Sequence, residues 1–233
     1  MWSTENNAVL ESLEMLCSLT EDGLKTCESI ALAGGIPAAV RAVRDFSTMT
    51  PPTVSIQASV LLGDMCRRDK SGQLQKSIVR AGAIQGLVVL IKKTIRDEKS
   101  LTIIFWTLAT LAKQDDLTSK AADMRSAVVA QQQQIKVILA VMKLHPESPR
   151  LQAHGCTALF NLIHGPEDYS EDAVTVATQN KAVVIILNAM QKNSNSPDVQ
   201  TNACCLLFQM VICQTISSIL LCLARWFFQY AIR

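Results

Sequence analysis

Apolar residues along this chain recur three and four positions apart, a spacing that places them on one side of an α-helix. The strict alternation of apolar and polar residues that is typical of a half-buried strand is absent from the sequence. Residues that break helices separate the apolar stretches, at 51–52, 115–116, 146–149, 165–166 and 193–197. The pattern therefore predicts an all-α protein.

The helical pattern repeats along the chain. Five long apolar stretches end in a pair of apolar residues three apart, and the first residue of each pair stands at 13, 62, 108, 159 and 207. Four shorter stretches begin with isoleucine or valine at 36, 84, 135 and 183. The steps are 49, 46, 51 and 48 in the first series and 48, 51 and 48 in the second. Regular steps of this size indicate a repeat architecture.

The two series divide the chain into one partial and four complete units. We expect an N-terminal helix in residues 1–19 and an apolar helix in residues 212–233. The four repeats between them cover 20–211, at about 20–66, 67–112, 113–164 and 165–211. Because one such unit cannot bury the apolar faces of its own helices, neighbouring repeats must stack on one another.

Small residues stand where neighbouring helices have to meet. Gly82 is predicted to supply a positive backbone φ at a tight corner between two helices. Ala58, Gly155 and Ala203 occupy one equivalent position of the long helix, where a small side chain permits a close approach. The second complete repeat has Ile104 there, and this larger side chain should push the local packing apart.

Two segments of the chain resemble the armadillo repeat. Residues 79–90 read Val-Arg-Ala-Gly-Ala-Ile-Gln-Gly-Leu-Val-Val-Leu, and residues 151–162 read Leu-Gln-Ala-His-Gly-Cys-Thr-Ala-Leu-Phe-Asn-Leu. The resemblance extends over about residues 8–211, although in the third repeat Gln131 to Gln134 replace the glycine corner. It implies a right-handed α-solenoid of three-helix repeats whose third helices line a concave groove. Members of this family are protein-binding adaptors, transport receptors and scaffolds, and rarely enzymes.

The resemblance also indicates which residues face the groove. Members similar to importin alpha hold a basic peptide with a tryptophan and an asparagine four apart on each third helix. The tryptophan positions here are Val60, Trp106, Thr157 and Cys205, and the asparagine positions are Asp64, Thr110, Asn161 and Gln209. Because no repeat carries both residues, a receptor for nuclear localisation signals is disfavoured.

We expect the groove to bind a partner protein or an extended peptide through a small set of side chains. The set consists of Asp64, Trp106, Thr110, Asn161 and Gln209, with His154 and Asn202 one helical turn before the groove positions. Hydrogen-bonding groups repeated in register suit an extended backbone. Two structural alternatives stay open, since Trp106 could pack between helices and Asn161 could satisfy a neighbouring helix end.

Charge excludes some partners and indicates one local surface. Lys and Arg number 22 and Asp and Glu number 20, so the chain has no global charge excess to support binding of nucleic acid. Nine basic residues lie between Met65 and Lys99, and they indicate a basic edge that would suit an acidic partner. Its principal members are Arg67, Arg68, Lys92, Lys93 and Arg96.

Cysteine usage and catalytic motifs argue against a secreted protein and against an enzyme. The eight cysteines lie mostly in apolar stretches and are interpreted as buried free thiols of a cytoplasmic protein, with the nucleus as an alternative location. His154, Cys156 and His164 match no zinc-binding spacing. The chain has no glycine-rich phosphate loop, nucleophile elbow or HExxH motif. We therefore expect no catalytic residue, no metal and no cofactor.

The C-terminal part of the chain leaves three interpretations open. Residues 199–224 contain no charged side chain, a run long enough to cross the hydrocarbon of a bilayer. Residues 215–233 could begin a further repeat, the last helix could fold back as an apolar cap, or residues 204–224 could anchor the chain in a membrane. The fourth repeat already accounts for half of the apolar run, so we favour a truncated repeat or a cap and do not expect a membrane partner.

The sequence as a whole predicts a non-enzymatic scaffold or adaptor that binds a protein or peptide in the groove. Two alternatives are kept. The first is an armadillo-fold co-chaperone, a nucleotide exchange factor for a heat-shock ATPase, which the chain resembles in length and in its single starting helix. The second is a structural repeat segment of a larger signalling protein.

Overall fold

A computed structural model describes residues 4–46, 52–112, 121–164 and 167–213. The described residues form twelve α-helices and no strand, which confirms the predicted all-α class. The chain divides into two compact units, Met1–Asp115 and Asp116–Arg233. Unit 1 holds α1 Thr4–Thr20, α2 Leu24–Leu32, α3 Gly35–Asp45, α4 Thr53–Arg68, α5 Gln73–Arg80, α6 Ala83–Lys93 and α7 Glu98–Leu111. Unit 2 holds α8 Ala121–Leu144, α9 Pro149–Ile163, α10 Glu167–Gln179, α11 Ala182–Lys192 and α12 Pro197–Cys213.

Helices at equivalent places of successive repeats pack side by side within each unit. In unit 1, α4 packs between α1 and α7, while α3 packs against α6. In unit 2, α9 packs against α12, and α11 packs against α8. The helices that end the repeats, α4, α7, α9 and α12, are called the third helices below. Their apolar pairs at Leu62, Leu108 and Leu159 are buried, as their register predicts, whereas Leu207 of α12 is only half-buried.

The neighbouring third helices α4 and α7 run in the same direction. Midway along them, the hydroxyl of Thr107 donates a hydrogen bond of 3.0 Å to the carbonyl oxygen of Ser59. The C-terminal ends of the two helices also lie close together. Gln75 stands in α5, shortly after the end of α4, and its side-chain amide donates to the carbonyl oxygen of Leu111 at the end of α7 at 3.0 Å. Side chains at equivalent places of the two helices therefore lie next to each other.

Left-handed residues precede four of the shorter helices: Gly72 before α5, with a φ of 71°, and three residues at equivalent corners of the repeat before α3, α6 and α11. Gly34 precedes α3 with a φ of 85°, and Gly82 precedes α6 with a φ of 87°, as predicted for Gly82. Lys181 precedes α11 with a φ of 62°, and it is the one residue other than glycine with a positive φ among the described residues. The repeat therefore keeps the corner geometry even where the sequence has lost its glycine.

The third repeat departs from the predicted pattern. The repeat pattern predicts a corner at Gln131 to Gln134, but α8 continues without a break from Ala121 to Leu144. This expectation was wrong, because glutamine is a good helix former and no glycine, proline or asparagine interrupts the run. The third repeat thus has one long helix where the second repeat has α5 and α6.

A repeated hydrogen bond ties each third helix of unit 2 to the helix before it. The amide nitrogen of Gln152 donates to the carbonyl oxygens of Met142 at 2.8 Å and His145 at 2.7 Å. Forty-eight residues later, Gln200 makes the same pair of bonds, to Met190 at 2.9 Å and Asn193 at 3.1 Å. These bonds satisfy carbonyl groups at a helix C-terminus, which lack partners within their own helix.

The small residues at the shared position are buried as their role requires. Ala58 and Ala203 are fully buried, and Gly155 is buried as well. Ile104 is also fully buried, and three residues later Thr107 still reaches Ser59 of α4. At this point the larger side chain does not prevent a close approach of α7 to α4.

Candidate functional site

The indole ring of Trp106 lies across α4 at Gly63. A Cβ atom built on Gly63 would stand 2.9 Å from Cη2 of Trp106, closer than such atoms approach one another, and nearer still to Cζ3. Gly63 is buried, while Trp106 is half-buried. The ring therefore rests on bare backbone of α4 and keeps part of its surface open to solvent. Both alternatives considered for Trp106 apply, since it packs between two helices and is also accessible.

Asp64 and Thr110 are neighbours of Gly63 and Trp106 on the same two helices. Asp64 follows Gly63 directly, and its carboxylate pairs with the guanidinium of Arg67 at 3.1 Å. Thr110 lies one turn beyond Trp106 and donates its hydroxyl to the carbonyl oxygen of Trp106 at 2.9 Å. Both side chains are half-buried. Asp64, Trp106 and Thr110 thus lie together, and they are called the unit 1 face.

The remaining predicted residues lie in unit 2, on α9 and α12. The amide nitrogen of Asn202 donates to the carbonyl oxygen of Ala153 at 3.3 Å, which brings it next to His154 across the helix pair. Asn161 and Gln209 stand seven residues, about two turns, beyond His154 and Asn202 on the same two helices. All four side chains are half-buried. His154, Asn161, Asn202 and Gln209 are called the unit 2 face.

Two charged groups surround His154. Burial is the main factor that lowers the pKa of its imidazole, and the positive charge of Arg150 lowers it further, while Asp198 on α12 acts in the opposite direction. The imidazole is thus held preferentially in its neutral form. A neutral imidazole has one donor and one acceptor nitrogen, so it can take part in either kind of hydrogen bond.

An aromatic pair extends the unit 2 face along α9. The rings of Phe160 and His164 stack with their centroids 5.3 Å apart and their planes 8° from parallel. His164 is exposed, while Phe160 is half-buried. At the end of α12 the amide nitrogen of Gln209 donates to Sγ of Cys213 at 3.3 Å. The unit 2 face therefore combines amide groups with flat aromatic surface.

The five principal basic residues of the predicted edge lie at two separate places in unit 1. Arg67 and Arg68 lie at the C-terminal end of α4, which is the end where α7 also finishes. Lys92, Lys93 and Arg96 lie where α6 passes into α7, at the opposite end of α7. The charges are thus separated by the length of α7, about 20 Å at 1.5 Å per residue.

The cysteines differ from the predicted buried set. Cys27, Cys66 and Cys156 are buried, but Cys204 and Cys205 are exposed on α12. Burial raises the pKa of both the Cys66 and the Cys156 thiol to about 12. These two buried thiols remain protonated and unreactive at neutral pH.

Two apolar clefts lie in unit 1, away from the unit 1 face. One, of about 380 Å³, lies between α1, α3 and α4 and is lined by small residues such as Ala38 and Ala42. The other, of about 520 Å³, lies between α2 and α5 beside Leu32, whose side chain is 90% exposed. Neither cleft includes a residue singled out from the sequence as part of the binding site.

Neither a metal site nor a straight membrane span is found in the part of the chain that the structure describes. No three histidine, cysteine, aspartate or glutamate side chains come together there as metal ligands. No single described helix is long and apolar enough to cross a bilayer. Two bent helix pairs reach the required length and composition, Gln73–Arg80 with Ala83–Lys93 at 62° and Asp172–Gln179 with Ala182–Lys192 at 67°.

Compared with models of known families, with curated proteins and with solved structures, the chain matches none of them.

One residue that supports the unit 1 face was not identified from the sequence. Gly63 has no side chain to bind anything, yet it creates the space in which the Trp106 ring lies. A glycine inside a long helix costs about 1 kcal/mol relative to alanine, so its presence there was a signal of close packing.

Proposed function

We propose that this chain is a non-enzymatic scaffold of the armadillo type that binds an extended segment of a partner protein along its third helices. The observation that carries the proposal is the position of Trp106, a half-exposed indole resting on α4 with Asp64 and Thr110 beside it. Partly exposed tryptophans are enriched among the residues that dominate the affinity of protein interfaces.

The architecture within each unit supports an armadillo type of stack. The third helices pack on one another, the shorter helices before them do the same, and left-handed corners precede α3, α6 and α11. Within each unit, this arrangement would give the two neighbouring third helices equivalent side chains on one face. Such faces suit long, extended ligands that contact several repeats in succession.

The chemistry of the unit 1 face favours a segment with an apolar or aromatic anchor. Trp106 offers a flat apolar surface, and Asp64 is already paired with Arg67. Because this ion pair neutralises the carboxylate locally, the face has no excess of negative charge for a lysine-rich signal. The anchor residue of a ligand would therefore contact Trp106, while its backbone would use Thr110 and Asp64 as hydrogen-bonding groups.

The chemistry of the unit 2 face favours recognition of a peptide backbone. Asn161, Asn202 and Gln209 each carry a side-chain amide, which has both donor and acceptor groups. The amides of Asn202 and Gln209 use their nitrogens within the unit, to Ala153 and Cys213. Their carbonyl oxygens can accept from the N–H groups of an extended segment.

The test is selection of peptides that bind the full chain, followed by affinity measurements on point variants. Peptides selected from a displayed random library are labelled, and their dissociation constants are measured by fluorescence anisotropy. We expect Trp106→Ala to weaken binding by at least about tenfold, which corresponds to about 1.4 kcal/mol. Val89→Ala, which shortens a side chain 45% exposed on α6, is the matched control and should leave affinity unchanged.

Circular dichroism of each variant separates lost binding from lost folding. If Trp106→Ala retains the helical signal of the wild-type chain and still binds the selected peptides equally well, the unit 1 face does not bind them and the proposal fails. Gly63→Ala provides a further check, because it keeps the tryptophan but displaces its ring.

A further inference from the structure

Helix α12 carries apolar side chains on two opposite faces. Val199, Ala203, Leu206 and Met210 form the buried face, and all four are fully buried. The opposite face is exposed and is called the outer stripe; it consists of Thr201, Cys204, Cys205, Phe208 and Ile212. Phe208 is 68% exposed and Ile212 is 61% exposed, so this helix leaves two large apolar side chains in water.

On α9 the first part of the equivalent stripe is covered by another helix. Ala153 and Cys156, which precede Thr201 and Cys204 by one repeat of 48 residues, are buried, whereas Thr157 and Phe160 are half-buried and His164 is exposed. The helix that covers them is α12, whose Asn202 donates to the carbonyl oxygen of Ala153 at 3.3 Å. This side of α9 is therefore the side on which the next helix packs.

The same relation holds in unit 1. There the stripe of α4 includes Ser59 and Gly63, and α7 covers it. Ser59 accepts a hydrogen bond from Thr107, and Gly63 lies under the ring of Trp106. In both units, then, this side of a third helix is a packing surface for a helix that follows it in the chain. The outer stripe of α12 is the same kind of surface, but it is exposed.

We propose that the outer stripe is the docking surface for residues 214–233 of the same chain. This segment follows Cys213 directly, and arginines at 225 and 233 are its only charged residues. Its residues at 219–224, 226–228 and 230–232 are apolar or aromatic, so the segment is apolar along most of its length. The segment and the stripe therefore match in polarity.

The length of the segment is sufficient to cover the stripe. Its 20 residues extend about 30 Å even at 1.5 Å per residue, and the 17 residues of α12 extend about 25 Å. Because the segment is tethered directly to α12, its effective concentration at the stripe is in the millimolar range. A second copy of the chain at micromolar concentration competes poorly with such a tethered segment.

The reactivity of Cys204 and Cys205 provides the first test, in the full chain. Both thiols lie on the outer stripe, so a docked segment should slow their alkylation by a polar maleimide. We expect the double variant Leu220→Asp, Leu223→Asp to accelerate their alkylation at least tenfold, because the added charges prevent docking. The matched control Gln214→Asp, Gln229→Asp adds the same charge at polar positions and should react at the wild-type rate.

Cys156 monitors folding in the same experiment. It is fully buried in unit 2, so its alkylation stays blocked in any variant whose unit 2 remains folded. Equal and rapid alkylation of Cys204 and Cys205 in the wild-type chain and in the Leu220→Asp, Leu223→Asp variant would show that the stripe is open, and the proposal would be rejected.

Cross-linking of the wild-type chain gives a result that does not depend on the charged variants. A short bismaleimide should join Cys205 to Cys222 within one chain, with a yield independent of protein concentration. Cross-links between chains would instead identify a second copy as the occupant of the stripe. Flotation of the chain with phosphatidylcholine vesicles, lost in Leu220→Asp, Leu223→Asp, would identify lipid as the partner of the segment. Either of these two results overturns the proposal.

Discussion

Gly63 and Trp106 show how one missing side chain can position another. Trp106 could not take this position against α4 if residue 63 had a Cβ atom, because that atom would overlap the ring. The glycine thus makes room for a ring that packs between α4 and α7 and stays half-buried.

Gly63→Ala should displace the indole ring and destabilise unit 1. The added methyl group cannot be accommodated without a shift of Trp106, and overpacking of this kind costs about 1 to 3 kcal/mol. Fluorescence checks the result in a chain whose Trp2 and Trp226 are replaced by phenylalanine. The emission maximum of Trp106 should move to longer wavelength in Gly63→Ala, and an unchanged spectrum would contradict the packing described here.

Gly82 and Lys181 stand at the same corner of two different repeats. Glycine suits the left-handed backbone of this corner, whereas lysine does not. Both adopt a left-handed backbone, with φ of 87° and 62°. A side chain makes this conformation unfavourable by roughly 1 to 2 kcal/mol. A Cβ atom added at Gly82 would meet only Oε1 of Gln85, at an ordinary van der Waals distance of 3.6 Å. The free-energy cost of a side chain there therefore comes almost entirely from the left-handed backbone conformation.

Substitutions at these two corners should therefore change stability in opposite directions. Gly82→Ala should lower the free energy of unfolding by about 1 to 2 kcal/mol. Lys181→Gly should raise it by about 1 kcal/mol or less, because the greater freedom of glycine in the unfolded chain offsets part of the gain. Urea denaturation of the two variants measures both changes, and a change of the same sign in both would contradict the assigned geometry.

The glutamines Gln152 and Gln200 hold each third helix of unit 2 to the helix before it. Their identical bonds explain why the same residue recurs 48 positions apart, a signal that was present in the sequence but was not used. Both side chains reach carbonyl groups that the helix itself cannot satisfy. The repeat is thus stabilised by polar contacts as well as by its apolar pairs.

Gln152→Leu should destabilise the chain even though it adds an apolar side chain to a buried place. Two hydrogen bonds to carbonyl groups disappear, and a buried polar group without its partner costs about 1 to 3 kcal/mol. The matched control is Gln133→Leu, the same change at an exposed position of α8, which should alter stability by about 0.5 kcal/mol or less. Equal effects of the two substitutions in urea denaturation would argue against the bonds of Gln152.

At the scale of a whole unit, stability depends on contacts between neighbouring repeats. Unit 2 relies on the pairing of α9 with α12, and His154 lies in that pairing with Arg150 and Asp198 nearby. Since every repeat is stabilised mainly by its neighbours, a change in protonation at such a pairing affects the folding of the unit as a whole. This makes the pH dependence of stability informative about the fold.

The stability of unit 2 should fall as the pH drops below the ordinary pKa of histidine, about 6.5. Burial lowers the pKa of His154 in the folded chain, so below this pH the unfolded chain binds more protons than the folded chain. The loss should stop once the pH is below the folded-state pKa. Thermal unfolding between pH 5 and pH 8 should show this loss in the wild-type chain and a smaller one in His154→Asn. Identical pH profiles of thermal unfolding in the two chains would show that His154 is not the source of this loss of stability.

The sequence by itself determined the helical class and the repeat of about 48 residues, while the binding role of the two faces stays a prediction. Apolar spacing and helix-breaking residues are local signals, and the period of the repeat makes each signal appear several times. The corner at Gly82 was predicted for the same reason, because only glycine adopts its backbone without cost.

Tertiary structure alone decided how these residues are used. The unbroken α8, the ring of Trp106 on Gly63 and the separation of Arg67 from Lys92 all depend on which helices become neighbours. The repeat pattern suggested a corner at Gln131 to Gln134, but the helix propensity of the glutamines prevailed there. Likewise, only the packing of α9 against α12 distinguishes the buried Cys156 from the exposed Cys204, although both stand at the same place in their repeats. A side chain's exposure depends on its neighbours in space, and those are fixed only when the helices have packed.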